Sequence, residues 1–130
     1  MGSIGSTGRG SAEGRLNLAI ANELGKLMAD FVGRGATRSR AFVGPDVVVC
    51  LLEDGATKGE KNLAAAGRAD LVRQGRDVLQ QAMEDQLVAV VERLTGRTVR
   101  LFLSGSSGTG ESAVDVFVLD PLPVDEMAPG

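Results

Sequence analysis

The sequence predicts an α+β domain in the order helix, strand, strand, helix, helix, strand, strand. Its four strands should form a mostly antiparallel sheet with the helices packed on one face. Three observations predict this. Apolar residues recur every three or four positions over residues 13–31 and again over 69–94. Two pairs of β-rich runs, "SRAFV" with "DVVVCLLE" and "TVRLFL" with "SAVDVFVLD", are each joined by a glycine-containing turn. The chain has 130 residues, 43% hydrophobic and 24% charged, the size and balance of one globular domain. Residues 13–120 are expected to form that domain. Residues 1–12, rich in Gly and Ser, read as a flexible tail, and 121–130, opening on Pro121 and Pro123, as a frayed one.

The first helix should begin near Glu13, with Leu16, Ile20, Leu24, Leu27, Met28 and Phe31 on its buried face. Asn17, Glu23, Lys26 and Asp30 fall largely opposite, and Gly33 and Gly35 supply the stop. The Gly44-Pro45-Asp46 turn then closes a hairpin. Val47 to Leu52 is apolar without alternation, so this strand is expected to be central and covered on both faces. Thr57 followed three residues later by Glu60 is a capping box, opening a short helix to about Ala66. A longer helix should run from Ala69 to Leu94, with Leu71, Val78, Leu79, Met83, Leu87 and Val91 in its apolar stripe. Arg73, Asp77, Gln80, Glu84 and Glu92 are expected on its wet side. In the last hairpin Val99, Leu101 and Leu103 should share one face, as should Val114, Val116 and Val118. Arg100 and Asp115, on the alternate faces, would pair if the register brought them together.

Several chemistries are excluded. Without His there is no Ser-His-Asp triad, Cys-His pair or histidine metal site. With no Trp or Tyr, only four Phe and a net charge of -3, the chain lacks the basic, aromatic surface of a nucleic-acid binder. The single Cys50 lies in "VVVCLL", the setting of a small core residue. No run approaches the ~20 apolar residues of a membrane span, and residues 1–14 lack the apolar stretch of a secretory signal. A cytoplasmic, reduced protein without membrane insertion is therefore expected, and nothing in the sequence calls for a cofactor.

"GSSGTGES", residues 105–112, fits the phosphate-binding pattern G-x-x-x-x-G-K-[ST] except that Glu111 stands where lysine is needed. A carboxylate there repels phosphate, and residues 112–120 alternate like a strand rather than opening a helix, so the stretch reads as a strand connection. The carboxylates Glu84, Asp85 and Glu92 diverge around a helix and read as a solvated face. Arg34, Arg38 and Arg40 cluster after the first helix, where guanidinium forks together with the backbone of Gly33 and Gly35 would hold an anion or an acidic partner. Arg34 would alternatively serve only the helix C-terminus. A long amphipathic helix beside a sheet edge is a common basis for self-association, so a homodimer is expected.

Four segments together resemble a known family: "GRG" at 33–35 with the following "TRSR", "VVVCLLEDGATKGEKNL" at 47–63, "LVAVVERLTGRTV" at 87–99 and "DVFVLD" at 115–120. Their order and spacing are similar to those of the MpsC-like family, small bacterial proteins associated with a Na+-translocating, membrane-potential-generating system. The similarity spans about Ala19 to Asp120. It implies a non-enzymatic accessory or interaction protein, working with antiporter-like membrane subunits in a system linked to inorganic-carbon uptake. Relatives often carry Pro after the GRG turn, where this chain has Ala36, and a His-containing stretch where it has 104–112. The residues expected to contact an anion or acidic partner are Gly33, Arg34, Gly35, Arg38, Thr57, Lys58, Glu60 and Arg97. The alternative is a small sensor domain holding an anionic metabolite between the GRG and TKGE turns. An enzyme using carboxylates and lysine is the third option.

Overall fold

A computed structural model describes residues 9–33, 38–107 and 111–122, with the backbone alone at 9–11. The elements are α1 (Arg9–Val32), β1 (Arg38–Val43), β2 (Val47–Glu53), α2 (Lys58–Ala65), α3 (Ala69–Thr95), β3 (Val99–Ser106) and β4 (Ser112–Leu119). Their order and type are those the periodicities predict. α1 starts at Arg9, so residues 9–12 are helical where a tail was expected. The remaining residues of both expected tails, 1–8 and 123–130, lie outside the described residues.

The strands form one antiparallel sheet in the order β1-β2-β4-β3. Each hairpin pairs its own strands, and the hairpins join through β2 and β4, which makes these two the interior strands. α1 and α3 cross one face. There Ile20, Leu24 and Met28 of α1 and Met83, Leu87 and Val91 of α3 meet Ala41, Val48, Cys50, Leu52, Ala113, Phe117 and Leu119 of the sheet. Phe117 is fully buried and stacks at a tilt on Phe102, ring centroids 5.0 Å apart. The "GSSGTGES" stretch is a strand connection: Ser106 stands opposite Ala113, and the N–H of Ser107 donates to the Ser112 carbonyl at 2.8 Å. Residues 108–110 at its tip lie outside the described residues.

Four expectations are corrected, all about which face a side chain takes. β2 is central but covered on one side only, with Val48, Cys50 and Leu52 buried and Val47, Val49 and Leu51 only half-buried on an open outer face. In β4 Val114, Val116 and Val118 do share one face, as expected; the helices cover the other, with Ala113, Asp115, Phe117 and Leu119, so the valines stand on the outside. An irregularity between Val99 and Leu101 turns Val99 inward opposite Leu119 and Leu101 outward opposite Val118, so Val99 does not share a face with Leu103. It also leaves Arg100 exposed, while Asp115 is buried opposite Ser104, and the two do not pair. In α3 the buried set is Val72, Arg76, Gln80, Met83, Leu87 and Val91, with Leu71 and Val78 exposed. The stripe is thus offset in the first half of the helix, and Gln80 sits inside rather than in water.

Candidate functional site

A basic concavity lies where α1 runs along β1, one of the two edge strands of the sheet. α1 sits close to the strand there because residue 25 is Gly: an added Cβ would stand 3.1 Å from the Ser39 hydroxyl oxygen. The result is a hollow of about 640 Å³ lined by Asn22, Gly25 and Lys26 from α1 and Arg38, Ser39 and Arg40 from β1. Three cations border it. Lys26, Arg38 and Arg40 are all exposed, and Arg40 makes a 3.4 Å ion pair with Glu53 across the β1–β2 ladder. A second, more apolar hollow of about 300 Å³ lies nearby, lined among others by Leu18, Ala21, Arg40 and Phe42. Both hollows draw on Ala21, Ser39 and Arg40, giving a furrow with a basic part and an apolar part along the strand edge.

Of the residues expected at an anion or partner site, Arg38 borders this hollow. Gly33 closes α1 with φ +90°, its N–H donating to the Ala29 carbonyl at 2.9 Å. Arg34 and Gly35 lie outside the described residues. Arg38 stands opposite Glu53 at one end of the β1–β2 ladder, so Arg38 and the turn leading to Thr57 belong to the same end of the sheet. Lys26, which the sequence pattern assigns merely to a wet helix face, is the side chain that completes the basic border.

At α2, Thr57, Lys58 and Glu60 have distinct situations. The capping box is formed: Glu60 N–H donates to Thr57 Oγ1 at 3.1 Å, and Thr57 N–H donates to Glu60 Oε1 at 2.8 Å. Glu60 is also claimed by Arg76 of α3, whose Nε and Nη2 donate to the two carboxylate oxygens at 2.6 and 2.8 Å. Nη2 further donates to the Gly55 carbonyl at 2.9 Å. Burial by itself pushes the Glu60 carboxyl up, but the hydrogen bonds and charge of Arg76, with those of Thr57, outweigh it and hold the carboxyl below its usual range. Thr57 and Glu60 thus fasten α2 to α3, while Lys58 is exposed at the first turn of α2. Arg97 sits at the other end of the sheet, its guanidinium donating to the carbonyls of Pro45 and Asp120 at 2.8 Å each. It ties the β1–β2 turn to the end of β4.

Among the described residues Asp115, Gln80 and Ser106 have buried side-chain oxygens with no hydrogen-bond partner. Asp115 is wholly buried on the helix-covered face, between Cys50 of β2 and Ser104 of β3, and neither of its oxygens has a hydrogen-bond partner. Burial pushes its carboxyl up to about 7. Burial, and then the Asp115 charge, push the Cys50 thiol up to about 12, as an inert core cysteine requires. Gln80 donates to the Met28 sulfur at 3.9 Å, but its Oε1 is buried without a donor. The sequence signal for Asp115 was its alternation with Ala113, Phe117 and Leu119. The three valines of the other face obscured it.

Among the described residues no group of His, Cys, Asp or Glu is arranged to hold a metal ion, and no helix is long and apolar enough to cross a membrane. A family model described as "Na+-translocating membrane potential-generating system (MpsC)" matches residues 12–121. No curated protein and no solved structure matches the chain.

Proposed function

The chain belongs to the MpsC family, and from that premise we propose that it is a non-enzymatic, cytoplasmic accessory protein of a Na+-translocating membrane system. Its task in this reading is to dock an acidic segment of an antiporter-like membrane subunit. The observation that carries the reading is the furrow between α1 and β1, where Lys26, Arg38 and Arg40 border one hollow although the chain as a whole is acidic. Guanidinium groups suit carboxylates because they donate in a planar fork. The apolar hollow alongside, with Leu18 and Phe42, would take an apolar side chain of the same segment. An edge strand with unpaired backbone groups adds main-chain hydrogen bonds to such an extended ligand.

Co-expression with the membrane subunit of its own system, followed by co-purification, tests this. The wild type should be retained, and the Lys26→Glu/Arg38→Glu double variant should lose retention while its circular dichroism is unchanged. Retention of the folded double variant at wild-type level sinks the docking reading. A second reading, a sensor for an anionic metabolite, is favoured by the volume of the same hollow, which lies within the usual range of small-molecule sites. It requires a concentration-dependent rise in melting temperature with nucleotides, bicarbonate or phosphorylated metabolites, abolished in the same double variant.

A further inference from the structure

We infer that the outer face of the sheet, the one no helix covers, is the surface on which two copies of this chain associate. An antiparallel sheet with one wet face normally alternates apolar-in, polar-out. Here the wet positions of both interior strands are aliphatic except at one end, where Glu53 faces Ser112: Val47, Val49 and Leu51 on β2 and Val114, Val116 and Val118 on β4. The edge strands continue the surface with Phe42, Leu101 and Leu103, which are 52%, 46% and 53% exposed. Charge is confined to one end, where Arg40 pairs with Glu53 and Arg38 stands at the edge. An apolar centre with a charged margin is the anatomy of a protein–protein interface.

The size of the face decides in favour of a second copy. Four strands at ~4.8 Å spacing and about seven residues at ~3.3 Å cover a footprint of roughly 19 by 23 Å. That is roughly 440 Å² with the charged end included, the size of the largest patch on a typical monomer, which is often a contact site. Two such faces stacked about 10 Å apart cover roughly 870 Å² in projection, and side-chain corrugation raises the accessible surface they bury to on the order of 1,000–1,200 Å², the low end of stable interfaces. A copy of the same face matches it in extent, flatness and lack of central charge. The marginal Arg40–Glu53 pair offers both signs to its equivalent, so like faces can meet without a charge penalty. The face shares Arg38, Arg40 and Phe42 of β1 with the docking furrow, but the furrow also needs Leu18 and Lys26 of α1 and the dimer face needs β3 and β4, so variants at Lys26 and at Leu103 or Val116 test the two separately.

The test is the solution mass by light scattering after size exclusion, at tens of micromolar. The wild type should run at twice the 13.5 kDa chain mass. Val116→Lys at the centre and, in case that variant fails to fold, Leu103→Lys on the exposed edge strand should each give folded monomers or weaken the dimer at least tenfold. Val78→Glu, which removes the most exposed apolar side chain of α3, should leave the dimer intact. A wild-type monomer overturns the inference, whatever else the face then binds. So does a dimer that survives Leu103→Lys in a folded protein, or one that Val78→Glu abolishes.

Discussion

At the scale of single residues, Asp115 is the most unusual feature of the molecule. A carboxylate buried without hydrogen bonds would cost several kcal/mol, so the group holds its proton far above the usual acid range instead. Its folded-state value, about 7 against 3.8 ordinarily, means that the native state binds this proton more tightly than the unfolded chain. The stability this confers is whole below the unfolded value, is lost as pH rises and is gone above the folded one. Wild-type stability should therefore fall between about pH 5 and about pH 8 by roughly 2–3 kcal/mol from this group. Asp115→Asn, which cannot ionise, should flatten that slope in urea titrations. An equally steep slope in the variant would assign the effect elsewhere. Glu60 acts in the opposite sense: its lowered value contributes stability that is present above the ordinary carboxylate range and is lost only in stronger acid. Cys50, on the same face and fully buried, should resist a thiol reagent until the protein is unfolded, and labelling of the native protein at the rate of a free thiol would contradict its place in the core.

Among the elements, α2 depends most on one cluster. It buries no side chain of its own, so the capping box and the Arg76 fork hold it where packing does not. Arg76 is 3% exposed, and removing it takes the counter-charge from the Glu60 carboxylate, which keeps only the Thr57 N–H, and the guanidinium donor from the Gly55 carbonyl. Arg76→Ala should cost about 3 kcal/mol, because breaking a buried pair strands its partner. Pairing it with Glu60→Leu should recover part of that loss, which a double-mutant cycle in urea would measure. Thr57→Ala should cost only about 1 kcal/mol, the ordinary worth of an N-cap. At the far end of α3 the chain leaves the helix through Gly96, whose φ of +70° a side chain would resist, and Glu92 accepts from Val99 N–H at 2.9 Å to start β3. The exit of the long helix and the entry of the third strand are thus one local device; "LTGRTV" shows its glycine, whereas Glu92, expected on the wet side, enters it only through the fold.

Over the whole molecule, the two hairpins and two long helices form two layers with functionally different outsides. The helix layer turns largely polar side chains to water, whereas the open sheet face remains apolar. Together these surfaces suit a protein that works through contact: a basic furrow at one sheet edge and an apolar face beside it. The two would operate together if a dimer presented two furrows to a membrane assembly. An acidic ligand would then bind with the added strength of two linked contacts, and a monomeric Leu103→Lys variant should retain the furrow but bind more weakly.

Reading along the chain reaches as far as neighbouring residues decide matters between themselves. The element order, both hairpins, the Thr57–Glu60 cap and the glycine exits all depend on spacings of a few positions, and so does the failure of "GSSGTGES" as a phosphate loop. The family resemblance, carried by "GATKGEKNL" and "LTGRTV", was legible for the same reason and is matched over residues 12–121. Which face of each strand the helices cover was settled by packing alone. β4 offers two apolar faces, and its sequence does not say that α1 and α3 lie on the side of Phe117 rather than Val116. That choice buries Asp115 and opens the valine face. In the same way Lys26 meets Arg38, and Arg76 meets Glu60, only once the chain is folded, because residues 12 and 16 positions apart on different elements come together through packing that no local pattern encodes.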